Sequence, residues 1–103
     1  MKHLDDRSFD STLAGHAALL VDFTATWCPP CDALKPTLQS LSTARTDVEI
    51  VTLDVEESPV VAGRFGVRAM PTLILFLAGQ PRAQLVGAHS RDKLSRWLDE
   101  HLR

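Results

Sequence analysis

The chain has 103 residues, of which 45% are hydrophobic and 23% charged, with a formal net charge of -2. That length suits one domain with one core, residues 1–103, and the composition is that of an ordinary soluble globular protein. The eleven basic residues form no run, so no nucleic-acid partner is expected, and the longest strongly apolar stretch, Thr72 to Ala78, is far too short to span a bilayer.

The N-terminal segment Met1-Lys2-His3-Leu4-Asp5-Asp6 lacks the apolar centre of a signal peptide. If Met1 is native, the chain is expected in the cytoplasm; a removed leader or a tag leaves a periplasmic origin open. Phe9 and Leu13, four apart after Asp5-Asp6, predict a short helix stopping at Gly15. Ala18 to Thr24 is an apolar run rather than an alternation and reads as a strand buried on both faces. A helix then starts at Cys28-Pro29-Pro30-Cys31, with both prolines in its first turn, where a missing N–H costs little. Leu34, Leu38 and Leu41 continue it, and Pro36 should kink it.

Val48 to Val55 is the second clear strand. Ser58-Pro59 pairs a cap residue with a proline at the first helical position, and Gly66 ends that short helix after Phe65. Thr72 to Leu77 is a third strand. Ala78-Gly79-Gln80-Pro81 is a turn into a short strand at Gln84-Leu85-Val86, forming an antiparallel hairpin. Ser90 caps a final helix whose Leu94, Trp97, Leu98 and Leu102 form one apolar stripe. The expected fold class is α/β, a central mixed sheet with helices on both faces.

The only two cysteines, Cys28 and Cys31, lie at the junction of a strand and a helix. Two thiols one turn apart can close into a disulfide ring and reopen, which moves two electrons. A structural disulfide or half of a zinc site is the competing reading. His3, His16, His89 and His101 show no ligand spacing beside the cysteines, so no metal is expected. Asp22 sits in a strand expected to be buried, where an unpaired carboxylate is costly. It is either an acid held by a backbone or hydroxyl group, or a proton acceptor.

The chain resembles the thioredoxin family over nearly its full length. The resemblance rests on an ordered set: Val21-Asp22-Phe23, Trp27-Cys28-x-Pro30-Cys31, Pro36, Met70-Pro71-Thr72, Gly79 and Val86-Gly87. It implies a thioredoxin fold and thiol–disulfide exchange that reduces protein disulfides. Cys28 would attack from the helix N-terminus, Cys31 would resolve, and Asp22 would take the Cys31 proton. It also implies a cis bond before Pro71, with that loop against the cysteine pair and the Ala69 backbone free for an extended substrate. Trp27, Pro29, Pro30, Ala69, Met70, Pro71 and Gly87 would form the substrate-facing surface. Phe23, Phe65, Phe76 and Trp97 read as core.

No bound cofactor is expected beyond the Cys28–Cys31 disulfide itself. NADPH would be used indirectly, through a thioredoxin reductase. Other partners would be disulfide-containing proteins, without a membrane, and the chain would act as a monomer. Alternatives are a more oxidising or isomerising redox protein and a thioredoxin-fold binding module. Three features depart from the usual family pattern. Pro29 replaces a Gly, giving a Cys-Pro-Pro-Cys site that looks more like tryparedoxins and some membrane-tethered cytochrome-maturation thioredoxins; the compact length does not match the former. Asp32 stands where a basic residue is usual. Thr24 and Thr52 stand where Trp and Lys are typical, leaving Lys35 as a cation that could reach Asp22.

Overall fold

A computed structural model describes residues 1–103. Nine elements follow one another: β1 (Lys2–Leu4), α1 (Phe9–Ala14), β2 (Ala18–Thr24), α2 (Pro29–Ala44), β3 (Glu49–Asp54), α3 (Pro59–Arg64), β4 (Thr72–Leu77), β5 (Gln80–Val86) and α4 (Arg91–His101). The strands form one mixed sheet in the order β1-β3-β2-β4-β5. β3 runs parallel to both β1 and β2, whereas β4 is antiparallel to β2 and β5.

The central strand β2 is buried on both faces, as its unbroken apolar run requires. Leu19, Val21 and Phe23 point to one side, where they pack with Phe9 and Leu13 of α1, Val61 and Ala62 of α3, and Phe76 of β4. Leu20 points to the other, with Leu34, Leu38 and Leu41 of α2 and Leu94 and Leu98 of α4. By the two-residue alternation of a strand, Asp22 shares the Leu20 side. Trp97 is partly buried at the margin of that second core, and Phe65 is partly buried against the first.

Three sequence expectations change in detail. β1 has no counterpart in the sequence reading, because three residues are too few to show a period. β5 begins at Gln80 rather than Gln84, so the turn is only Ala78-Gly79, with φ of 50° and 80°. Two left-handed residues in a row match the twist of a tight hairpin. Pro81 is tolerated because β5 is an edge strand and the register shifts there. Ser58 does not cap α3. Its hydroxyl is buried without a protein partner, and the Asp6 carboxylate accepts the Val60 and Val61 amides at 3.1 and 2.9 Å instead. An ionised carboxylate satisfies two orphan amides at once, which one hydroxyl cannot do. Ser90 does cap α4, accepting from the Lys93 amide at 3.2 Å.

Candidate redox site

The site forms where β2 runs out and α2 begins. Cys28 is the N-cap residue of α2, in an extended conformation, and Pro29 and Pro30 fill the first two helical positions. Neither proline has an N–H to offer. The first available amide is that of Cys31, which points at Cys28 Sγ at 3.3 Å. The next, from Asp32, goes to the Cys28 carbonyl at 3.1 Å. Only one of the two amides that the sequence brings near the sulfur therefore reaches it, because the other closes the first helical turn.

Cys28 and Cys31 are joined in a disulfide. Cys31 is fully buried, whereas Cys28 is half-buried. Trp27, just before it, is 98% exposed and holds a φ of 58°. A bulky side chain in that left-handed region is uncommon, and such strain costs about 1–3 kcal/mol. An indole that gains no burial and sits on a strained backbone is not core.

The loop before β4 closes the other side. The Met70–Pro71 peptide bond is cis, and the Met70 carbonyl oxygen lies 3.7 Å from Cys28 Sγ. Pro71 is buried, Met70 half-buried and Ala69 exposed. The Ala69 carbonyl accepts the Thr72 hydroxyl, whereas its N–H makes no backbone bond. One half of that backbone is thus already engaged. Gly87, at φ 100°, donates its N–H to the Pro71 carbonyl at 2.9 Å, tying the end of β5 to the same loop.

Asp22 is fully buried near the end of β2, and no protein group hydrogen-bonds either carboxylate oxygen. Desolvation pushes its carboxyl up to about 7, against the opposing pull of Lys35. Lys35 does not form a direct pair with it; its ammonium lies 3.6 Å from the exposed Asp32 carboxylate. Cys31 and Lys35 are four residues apart on α2 and share a helix face. The absence of a hydrogen-bond partner separates Asp22 from the alternative of an acid held by a hydroxyl or backbone group. No group of three or more His, Cys, Asp or Glu is placed to hold a metal ion.

One feature of the site was not visible in the sequence. His3 Nδ1 of β1 is hydrogen-bonded to Thr52 Oγ1 of β3, and Thr52 is the register partner of Asp22. The pairing depends on β1, whose short run gave no signal.

A half-buried and a buried cysteine at a helix N-terminus, beside a proline loop and following a strand that carries a buried acid, define a dithiol–disulfide exchange site. The thioredoxin family model matches residues 1–100. The chain is 43% identical to a thioredoxin of Mycobacterium tuberculosis over 97 residues, 92% of this chain and 84% of that protein. It is 41% identical to a thioredoxin of Staphylococcus aureus over 98 residues, 94% and 93% of the two chains. A thioredoxin of Alicyclobacillus acidocaldarius is 38% identical over 96% and 95%. Among solved structures, it is similar to a chain from a study of the thiol resolving mechanism in yeast mitochondrial 1-Cys peroxiredoxin via glutathione/thioredoxin systems. That match has a TM-score of 0.89 and 34% identity, covering 97% of this chain and 94% of that one.

The chain belongs to the thioredoxin family. It is a thiol–disulfide oxidoreductase that reduces protein disulfides, and its redox group is the Cys28–Cys31 disulfide. Membership implies disulfide-bearing substrates and a reductase partner in general terms.

Proposed function

We propose that Cys28 attacks the substrate, that Cys31 resolves, and that Asp22 takes the Cys31 proton. The observation that carries this reading is the asymmetry of the pair: Cys28 is partly accessible at the helix N-terminus, whereas Cys31 is fully buried. The reduced Cys28 thiolate attacks one sulfur of a substrate disulfide, and the other sulfur leaves as a thiolate. Cys31 then gives its proton to Asp22 and attacks Cys28 Sγ. The Cys28–Cys31 bond forms, the mixed disulfide breaks, and the second substrate sulfur leaves with its electron pair. The helix dipole favours the Cys28 thiolate. The double proline and Asp32 oppose it, by removing amides and adding negative charge.

In this reading the Cys-Pro-Pro-Cys turn is the working active site, and the cis Met70–Pro71 loop borders the substrate groove. Trp27, Pro29, Pro30, Ala69, Met70, Pro71 and Gly87 form its surface. An extended segment pairs with what the Thr72 bond leaves free of the Ala69 backbone. Residues 1–103 act as one monomeric domain in the cytoplasm, reduced by a thioredoxin reductase that draws on NADPH. No helix is long and apolar enough to cross a membrane.

The test is insulin reduction coupled to a thioredoxin reductase and NADPH, with adduct trapping beside it. Cys31→Ser should accumulate a stable mixed disulfide through Cys28, and Cys28→Ser should not. Trapping by Cys28→Ser alone reverses the assignment. Partner binding that persists unchanged in a Cys28→Ser, Cys31→Ser double variant without any insulin turnover by the native chain returns the reading to a binding module.

A further inference from the structure

Asp22 lies on the α2 side of the sheet, and two hollows in that side reach its neighbours. Thr52 stands beside Asp22 on β3, in register, and Thr24 stands two residues further along β2 on the same face. A cavity of about 330 Å³ is lined by Thr52 together with Lys35, Pro36 and Gln39 of α2. A second, of about 450 Å³, is lined by Thr24 and its partner Asp54 together with Asp32 and Lys35 of α2. Lys35 is the one residue common to both. Its side chain therefore runs between the two neighbours of Asp22, one helical turn after Cys31.

We propose that Lys35 is a positioning residue for the resolving step: it is the cation that keeps Asp22 charged and ready for the Cys31 proton, and Asp32 holds it back from a direct pair. The inference rests on the reading of Asp22 as that acceptor. The Lys35 ammonium lies 3.6 Å from the Asp32 carboxylate, three residues away on α2. No hydrogen bond joins it to Asp22, whose oxygens have no partner. Lys35 thus acts on Asp22 by its field, and it alone opposes the burial that pushes that carboxyl up. A direct ion pair would make Asp22 a weak base, and no cation at all would leave it protonated at neutral pH. A base works best when its acid strength matches the working pH. In the resolving step the Cys31 proton goes to Asp22, the Cys31 sulfur bonds to Cys28 Sγ, and the substrate sulfur leaves with the electron pair of the broken bond. Asp22 is then neutral, and Lys35 keeps Asp32 as its counter-charge. When the reductase supplies two electrons and reopens the disulfide, the proton returns to Cys31 and Asp22 is charged again.

The other groups on this side of the sheet do not take that part. On β4, the partner of Asp22 is Leu73, which is apolar, and α4 buries only Leu94 and Leu98 against this side. On β3, Asp54 is an anion that accepts the Glu56 and Glu57 amides. His3 of β1 is bonded to the Thr52 hydroxyl. The Met1 amino group lies 3.5 Å from Gln39 Oε1, at the far end of the first cavity's lining.

The test takes two readouts on the full chain. The Asp22 carboxyl is titrated by NMR of labelled carboxyl carbons in the oxidised protein, where the joined cysteines do not titrate. Resolution relative to mixed-disulfide formation is timed by rapid mixing of the reduced protein with a peptide disulfide, across the same pH range. Lys35→Gln should move the Asp22 midpoint up by roughly half to one pH unit, as fits a half-exposed charge screened by solvent. Resolution should follow that midpoint and slow by about three- to tenfold below it. Lys35→Arg should keep both readouts near native. Asp32→Asn should move the midpoint down, and by less in a Lys35→Gln background. An Asp22 midpoint unmoved by Lys35→Gln overturns the proposal, and the Asp22 reading still stands if Asp22→Asn slows resolution. A midpoint that moves while resolution does not follow overturns it as well. Equal shifts from Asp32→Asn in both backgrounds overturn the part given to Asp32. If Asp22→Asn leaves resolution unchanged, the proposal and the Asp22 reading fall together.

Discussion

The two faces of the sheet follow different rules. Under α1 and α3, Phe9, Phe65 and Phe76 meet in tilted and edge-to-face contacts with centroids 5.1–5.7 Å apart, and Phe23 joins at 6.5 Å. No buried carboxylate interrupts that side. Under α2 and α4 the leucines are packed as tightly, yet the same face holds Asp22 without a hydrogen-bond partner. Burying each large apolar side chain contributes about 1.5–3 kcal/mol, whereas an unpaired buried carboxylate costs several. One face therefore carries no buried charge. The other holds the one buried carboxylate, next to the helix that carries the thiols.

That contrast can be broken from either side. The largest effect expected is on chemistry. Cys28→Ser should abolish insulin reduction, while thermal unfolding of the reduced protein stays close to native, since Cys28 is only half-buried. A variant that lost activity through unfolding instead would erase the distinction between the faces. On the aromatic face, Phe76→Ala should cost about 3–5 kcal/mol in urea unfolding. Its folded fraction should still form mixed disulfides at the native rate. A large loss of exchange rate in folded Phe76→Ala would show that the two faces are coupled.

How much of this division was legible in the sequence depends on length and period. β2, α2, β4 and α4 were readable because each is long enough to show a run or a helical stripe. The cysteine pair and Asp22 were readable because their chemistry is unusual for their place. β1 was not, since three residues carry no period, and with it went the His3–Thr52–Asp22 row. Ser58 misled for a different reason. Its spacing before Pro59 is that of a cap, but the Asp6 carboxylate, 54 residues from Val60, reaches the same amides. Contacts of that range leave no local pattern. The position of Lys35 beside Asp32 rather than in direct contact with Asp22 is also a matter of side-chain geometry, which spacing narrows to a helix face and no further.

A smaller effect sharpens the account at the rim of the site. Asp32 is exposed, so its charge acts on the Cys28 sulfur through solvent. Asp32→Lys should speed mixed-disulfide formation near neutral pH by less than about tenfold, and the gain should shrink in high salt. A slower first step would mean that Asp32 assists the attack rather than opposing it.

The most direct measurement of the central claim is the stability of native protein and Asp22→Asn, both oxidised, from pH 4 to 8. Burial holds the Asp22 carboxyl at about 7, above its ordinary value of 3.8. A group raised in this way favours the fold in its protonated form, and that contribution is lost as pH rises through the folded-state value. The two proteins should therefore differ little near pH 4. Asp22→Asn should become progressively the more stable up to about pH 7, by up to about 4 kcal/mol, with a constant gap above it. A gap that is absent at pH 8, or that favours the native protein there, would contradict the claim that this face holds a costly acid for the sake of its chemistry.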